Sequence, residues 1–95
     1  MRQYETIYII NPELDTEAVK ELVERFKGVV ERNGGQVTEI DEWGKRRLAY
    51  PIKDRREGYY VLMNFTAGAE AARDLERVYK ITNGLLRYLI INKEK

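Results

Sequence analysis

Residues 15–33 carry the strongest periodic pattern in the chain, and this pattern restricts the available folds more than any other feature. Apolar side chains recur there every three or four positions, which places them on one face of an α-helix. They are Val19, Leu22, Val23, Phe26, Val29 and Val30. Asp15 is a favourable N-cap for this helix, and Gly34-Gly35 is typical of a helix end. An amphipathic helix of this length must bury its apolar face against a second layer of structure.

The segments on either side of this helix have the composition of β-strands. β-branched and aromatic residues are frequent in residues 4–10, 58–66 and 85–92, and residues 36–52 form a long extended stretch. A second amphipathic helix is predicted over residues 69–79, and residues 82–84 end it. Residues 53–57 are predicted to form a charged turn. The order of the elements is therefore strand, helix, strand, strand, helix, strand.

This order predicts a ferredoxin-like fold of the α+β class, β-α-β-β-α-β, formed by residues 1–95 as one domain. In that fold a four-stranded antiparallel sheet carries both helices on one face, and the third, first and fourth strands lie side by side. Pro51 has no N–H group for a sheet ladder, so the second strand is expected at an edge. The other face of the sheet must meet water or a partner.

Side-chain alternation predicts which residues lie on that open face. If Tyr4, Thr6, Tyr8 and Ile10 face the helices, the residues between them face outward. The predicted outward apolar set consists of Ile7, Ile9, Tyr60, Leu62, Leu89 and Ile91. An apolar area of this size exceeds the scatter of an ordinary surface, so we interpret it as a partner-binding face. The alternative is the reverse parity, which would leave a mixed polar and apolar face.

Positive charge is concentrated in one short segment, although the net charge of the whole chain is +1. Residues 45–56 contain six lysines and arginines and one acid, Asp54. Arg46 and Arg47 are neighbours on a predicted strand and point to opposite faces, so packing against one core cannot explain both. Guanidinium groups form charge-assisted hydrogen bonds with phosphate. The candidate RNA-binding cations of this segment are Lys45, Arg46, Arg47 and Lys53, and a solvated surface is the alternative.

The same segment resembles a family signature. Residues 44–53, Gly-Lys-Arg-Arg-Leu-Ala-Tyr-Pro-Ile-Lys, are similar to the signature of the bacterial small-subunit ribosomal protein six (S-six) family. Residues 1–12, 57–60 and 81–91 are similar to that family as well. The resemblance implies a non-catalytic structural protein of the small ribosomal subunit in the cytoplasm. It also implies binding to the central domain of the small-subunit ribosomal RNA as a heterodimer with ribosomal protein S-eighteen, a basic partner.

Several residues outside the main cation run are further candidates. The fourth strand is expected beside the first, which would bring Arg87 near Arg2 and form a second basic spot. Tyr4 is a candidate for positioning a phosphate contact there. Leu48 and Tyr50 lie on the same side of the predicted strand, and both are expected to face the core. Arg55 and Arg56 are expected to be solvated residues of the turn. Trp43 is expected to pack in the core or cover an edge, with stacking on a nucleotide as the alternative.

The composition argues against catalysis and metal binding. Cysteine and histidine are absent, so disulfides, thiolate metal sites and catalytic sets built on either residue are excluded. No phosphate-cradling glycine motif is present. We therefore expect neither an enzyme nor a protein with a cofactor, a metal or a small-molecule substrate. Neither a signal peptide nor a membrane-spanning segment is expected, because the apolar runs are short.

Two other functions are compatible with the same order of elements. An RRM-like binder of single-stranded RNA would carry stacking aromatic residues on its third strand, and Gly58-Tyr59-Tyr60 matches that pattern only in part. A ligand-sensing regulatory module, paired into a homodimer through its sheet, is the other alternative, because fold alone does not determine function. The cation run and the resemblance of residues 44–53 favour the ribosomal interpretation over both.

Overall fold

The computed structural model describes residues 1–94 and contains six elements in the predicted order. The strands are β1 (Arg2–Ile10), β2 (Gln36–Ile52), β3 (Arg55–Ala67) and β4 (Leu85–Asn92), and the helices are α1 (Thr16–Arg32) and α2 (Ala69–Ile81). The sheet is antiparallel with the order β2-β3-β1-β4, which confirms the ferredoxin-like fold and the edge position of Pro51. Lys95, the last residue of the domain predicted from the sequence, lies outside the described residues.

The ends of α1 are fixed by local hydrogen bonds. The side chain of Asp15 accepts a hydrogen bond of 2.8 Å from the backbone nitrogen of Ala18, which confirms the predicted N-cap. At the other end Gly34 has a φ of 80°, a left-handed conformation that glycine adopts without strain. The backbone nitrogen of Gly35 then donates to the carbonyl oxygen of Val30 at 2.9 Å, which closes the helix. Neither helix within residues 1–94 is long and apolar enough to cross a membrane.

Aromatic side chains join β1 to both helices. The rings of Tyr8 and Phe26 meet edge to face with centroids 4.8 Å apart, and Phe26 meets Tyr79 in the same way at 4.7 Å. The hydroxyl groups of Thr6 and Tyr79 lie 3.0 Å apart, and both residues are buried. Alternate residues of β1 thus face the helices as predicted. The buried helix-facing side chains of this strand are Tyr4, Thr6, Tyr8 and Ile10.

The connection between β2 and β3 is shorter than the sequence predicted. β3 begins at Arg55 and pairs there with Ile52, so the turn consists of Lys53 and Asp54 alone. Their φ angles are 51° and 66°, which is the pattern of a type I′ turn. Turns of this type match the right-handed twist of the two strands that they connect. The expectation of a turn over residues 53–57 was wrong because the twist of the hairpin favours a two-residue turn, in which Asp54 is a common residue and Lys53 an uncommon one.

Asp74 links the end of α1 to α2. Its carboxylate accepts hydrogen bonds from the side chains of Asn33 at 2.9 Å and Arg32 at 3.1 Å. Arg77, one turn further along α2, donates to the same carboxylate at 2.7 Å. These contacts, with Asn33 the largest cause, lower the pKa of Asp74 from its ordinary value of 3.8 to about 2.

This shift predicts a pH-dependent contribution to stability. The free energy that Asp74 adds to the folded state is fully present above pH 3.8 and is lost as the pH falls through about 2. Asp74→Asn should therefore lower the melting temperature at pH 7, and the difference from the unsubstituted protein should disappear near pH 2. Thermal melts followed by circular dichroism between these two pH values test this. A difference that stays constant with pH would show that the charge of Asp74 is unimportant.

Candidate nucleic-acid interface

The end of the β2–β3 hairpin bends over the open face of the sheet. The guanidinium Nη1 of Arg87 on β4 donates a hydrogen bond of 2.6 Å to the hydroxyl of Tyr50 on β2. These strands are the two edges of the sheet, so the contact crosses both β3 and β1. Beneath it Leu48 is buried next to Gly58 and Ile9. A Cβ atom at Gly58 would lie 2.2 Å from Cγ2 of Ile9, so only glycine fits this close approach.

The bend has a cause in the strand register. Arg47 pairs with Glu57 and Ile52 pairs with Arg55, so β2 advances five residues while β3 advances two. The longer strand must curve, and Pro51, which lies in the irregular segment, donates no hydrogen bond to the ladder. The hairpin therefore leaves the plane of the sheet and folds across it.

This bend corrects three predictions. Ile9 faces outward as expected but is only 7% exposed, because the hairpin covers it, so it is not part of an open patch. Leu48 is buried on this outer face rather than among the residues that pack against the helices. Tyr50, which was expected on the core side, is 57% exposed.

The remaining open face carries a continuous apolar row. Ile7 pairs with Leu62 on one side and with Leu89 on the other, so one side chain from each of β3, β1 and β4 lies in line. Leu89 and Ile91 are 55% and 40% exposed, whereas Ile7, Leu62 and Tyr60 are half-buried. The predicted parity of the open face is confirmed, and the apolar row is the part of it that the hairpin leaves uncovered.

A bulge in β2 places Trp43 on the same face. Glu42 pairs with Val61 and Gly44 pairs with Tyr60, so Trp43 is an extra residue without a partner on β3. The φ angle of Gly44 is 83°, which this bulge requires. The ring of Trp43 stacks on that of Tyr60, with centroids 6.1 Å apart and planes inclined by 15°.

Arg46 completes this arrangement. Because the bulge inserts one residue, Trp43 and Arg46 lie on the same face although they are three positions apart. The Cζ atom of Arg46 lies 5.6 Å from the centroid of the Trp43 ring, which is within the range of a cation–π contact. We call Arg46, Trp43 and Tyr60 the Trp43 stack. The Nε1 atom of Trp43 donates to Oδ2 of Asp41 at 3.0 Å, which fixes the orientation of the indole.

The other hairpin cations lie on the opposite face or at the tip. Lys45 pairs with Tyr59, and the side chain of Tyr59 packs against the core. Lys45 therefore lies on the helix side of the hairpin, where it lines a cleft together with Arg47 and Arg56. Arg46 and Arg47 thus point to opposite faces, as predicted. Lys53 is exposed in the turn. Arg55 forms an ion pair with Glu13, which corrects the expectation that it is a solvated turn residue.

Arg2, Tyr4 and Arg87 do not form the second basic spot that the sequence predicted. Arg87 pairs with Ile9, whereas Arg2 lies at the other end of β1. Seven residues of strand separate these positions, about 24 Å at ~3.4 Å per residue. Tyr4 is 5% exposed and its ring stacks on Phe65 at 5.3 Å, so it belongs to the core. Arg87 instead joins the signature segment through its contact with Tyr50.

The acidic residues that precede the signature are occupied by local hydrogen bonds. Glu39 accepts one of 2.9 Å from the side chain of Asn64. Glu42 accepts one of 2.7 Å from the hydroxyl of Tyr59 and thereby raises the pKa of Tyr59 to about 12. Within residues 1–94 the acidic side chains form no group of three placed to hold a metal ion. These carboxylates serve to hold the edge strand β2 against β3.

Comparison with known proteins decides the family. A family model described as ribosomal protein S6 matches residues 3–92. The chain belongs to the ribosomal protein S6 family. It is 56% identical to the small ribosomal subunit protein bS6 of Clostridium novyi (strain NT) over 95 residues, and the match covers both chains completely. It is 57% identical to the protein of the same name from Thermoanaerobacter pseudethanolicus, again over the full length of both chains.

A solved structure of the S6 family agrees with the fold. The crystal structure of 30S ribosomal protein S6 from Thermotoga maritima matches this chain with a TM-score of 0.92 and 31% identity. The match covers 97% of this chain and 87% of that one. The resemblance, which rested on residues 1–12, 44–53, 57–60 and 81–91, is confirmed, and the chain is a structural protein of the bacterial small ribosomal subunit.

Gly44 and Gly28 form a matched pair that tests the role of the bulge. A Cβ atom at either position would have no neighbouring heavy atom within 4 Å, so the two substitutions differ only in backbone conformation. Gly44→Ala should lower the free energy of unfolding by about 1 kcal/mol, because alanine is strained at a φ of 83°. Gly28→Ala within α1 should raise it by about 0.5–1 kcal/mol. Urea unfolding measures both, and equal effects at the two positions would exclude a conformational requirement at Gly44.

Proposed function

We propose that this S6-family chain binds the central domain of the small-subunit ribosomal RNA in the cytoplasm, as a heterodimer with ribosomal protein S-eighteen. One observation carries the proposal. The β2–β3 hairpin presents Lys45, Arg46 and Arg47 on two faces, and no ion pair occupies them among residues 1–94. Exposed, unpaired cations on a bent hairpin are suited to contact phosphate groups of a folded RNA from both sides.

The distribution of charge supports a local contact with RNA. Residues 45–56 carry six cations and one anion, whereas the whole chain has a net charge of +1. At physiological salt, charges interact over a Debye length of about 8 Å, so a phosphate near the hairpin experiences the cations more strongly than the distant acids. Lys53 at the tip and Arg87, held beside Tyr50, extend the cationic surface of the hairpin. Arg2 lies too far away to belong to it.

The apolar row supports a protein partner on the sheet. Leu62, Ile7 and Leu89 are in line across three strands, and neither helix of residues 1–94 covers them on that face. Ile91 continues this surface along β4, and Tyr60 borders it beneath Trp43. A nearly neutral chain gains little RNA affinity from the release of counterions. A basic partner seated on the apolar row would add that affinity to the complex.

The partner requirement predicts different RNA affinities for the chain and the pair. Alone, the chain should bind a fragment of the central-domain RNA weakly. Together with S-eighteen it should bind tightly, and the affinity should fall steeply with salt because more phosphates are neutralised. Gel-shift titrations at two salt concentrations, with and without S-eighteen, measure this. Tight binding by the isolated chain would contradict the heterodimer.

The signature arginines should contribute to RNA affinity rather than to folding. Arg46→Ala with Arg47→Ala should weaken RNA binding by the pair by roughly 1.5–3 kcal/mol for each residue, the range for hydrogen bonds to charged groups. The melting temperature should change little, because exposed charges contribute little to stability. The control is Arg25→Ala with Arg73→Ala, which removes the same charge from the exposed faces of α1 and α2. An early melt of the signature variant with normal RNA binding would make these arginines structural.

The apolar row should be required for S-eighteen. Leu89→Asp should weaken binding of S-eighteen by about 1.5–3 kcal/mol, the value of a buried leucine side chain, because it removes that burial. The added carboxylate would increase the loss. Ile81→Asp is the matched control, since Ile81 at the end of α2 is 68% exposed against 55% for Leu89. Calorimetric titration measures both variants. Equal affinities for the two would place the partner on another surface.

A further inference from the structure

The Trp43 stack has a geometry that phosphate contact by the hairpin does not require. Trp43 is 37% exposed on the edge strand β2, and its ring lies nearly parallel to that of Tyr60. A tryptophan that served only to cover an edge would need neither a defined ring plane nor a guanidinium group over it. Here Asp41 holds the indole nitrogen and Arg46 lies over the ring. The aromatic surface is therefore oriented before any ligand arrives.

The two rings come from different strands. Tyr59 packs toward the core, so β3 alone supplies one ring to the open face, that of Tyr60. The bulge at Gly44 adds the second ring from β2. The result is an aromatic pair at the border of the cationic hairpin, assembled by the register shift. Pairs of this kind stack unpaired bases in proteins that bind single-stranded nucleic acid.

We propose that Trp43 is a stacking site for an unpaired nucleobase of the bound RNA, and that the guanidinium of Arg46 occupies this site in the free protein. The inference rests on the proposed RNA binding and specifies the kind of nucleotide that the hairpin selects. On binding, the base takes the position over the indole ring. Arg46 moves from the ring to the phosphate of the same or the next nucleotide.

Charge favours an RNA base over a protein side chain as the occupant. Arg46 makes no ion pair among residues 1–94, so its movement breaks only the contact with Trp43. Arg46 lies on the same face as Trp43, so a nucleotide that stacks on the ring brings its phosphate within reach of this guanidinium group. The apolar row, where a protein partner is proposed, runs from Leu62 through Ile7 to Leu89, and Tyr60 separates it from the exposed ring of Trp43.

The single tryptophan of the chain makes the site directly observable. The chain is produced with 5-fluorotryptophan and combined with unlabelled S-eighteen, so that one ¹⁹F resonance reports on Trp43 alone. The resonance should move little when S-eighteen is added, because the partner reaches only Tyr60 behind the ring, and it should shift strongly when the central-domain RNA fragment is added. Gel shifts on the same samples measure RNA binding independently of the resonance.

Two substitutions separate stacking from packing. Trp43→Leu keeps apolar cover over Tyr60 but removes the flat ring, and it should weaken RNA binding by the pair about tenfold, as expected for one lost base stack. Trp43→Phe retains a ring and should restore most of the affinity. Thermal melts of both variants should match, which excludes unfolding as the cause of the difference.

The remaining outcomes distinguish this inference from the proposed function. One outcome would overturn the stacking site and leave the proposed function standing. In that outcome the pair binds RNA by gel shift, the ¹⁹F resonance does not move, and Trp43→Leu binds RNA with normal affinity. A resonance that shifts fully with S-eighteen and moves no further when RNA is added would assign Trp43 to the protein interface and also overturn the inference. Absence of any gel shift by the unsubstituted pair would contradict the proposed function itself.

Discussion

The packing of Tyr8 against Phe26 and Tyr79 is the contact on which the rest of the structure depends. It joins the central strand β1 to both helices and thereby decides which face of the sheet is buried. Strand side chains alternate, so a slip of one residue would turn the whole apolar set of β1 to the other side. The hydrogen bond between Thr6 and Tyr79 adds a polar constraint to the same register. Once this face is fixed, Ile7 and its cross-strand neighbours lie on the side of the sheet opposite to α1 and α2.

The β2–β3 hairpin is the second feature that shapes the surface, because it decides how much of the open sheet face remains exposed. The register shift between Arg47 and Ile52 bends it over the sheet, and Gly58 allows the close approach there. The bend covers Ile9 and leaves the row through Ile7 exposed. It also distributes the cations over two faces. The apolar row and the exposed cations of the hairpin thus lie side by side on a small domain.

The acids and the cations of the chain have different roles in this arrangement. Asp41 and Glu42 are engaged along the edge strand, and Asp74 joins the two helices. Arg46 and Arg47 have no carboxylate partner among the described residues. The net charge of +1 therefore conceals a separation between acids that stabilise the fold and cations that remain available. This separation explains how a nearly neutral chain serves in a ribonucleoprotein particle.

Local pattern alone determined the order of the elements, the caps of α1, the edge position of Pro51, the parity of β1 and the opposite directions of Arg46 and Arg47. These features depend on residues near one another in the chain, where helical period, strand alternation and turn chemistry act directly. Tertiary structure alone decided that Ile9 is covered, that Tyr4 belongs to the core, and that Arg87 meets Tyr50 instead of Arg2. Each of these depends on strand register and on the bend of the hairpin. Both are set by contacts between segments far apart in sequence, for which no local residue pattern exists.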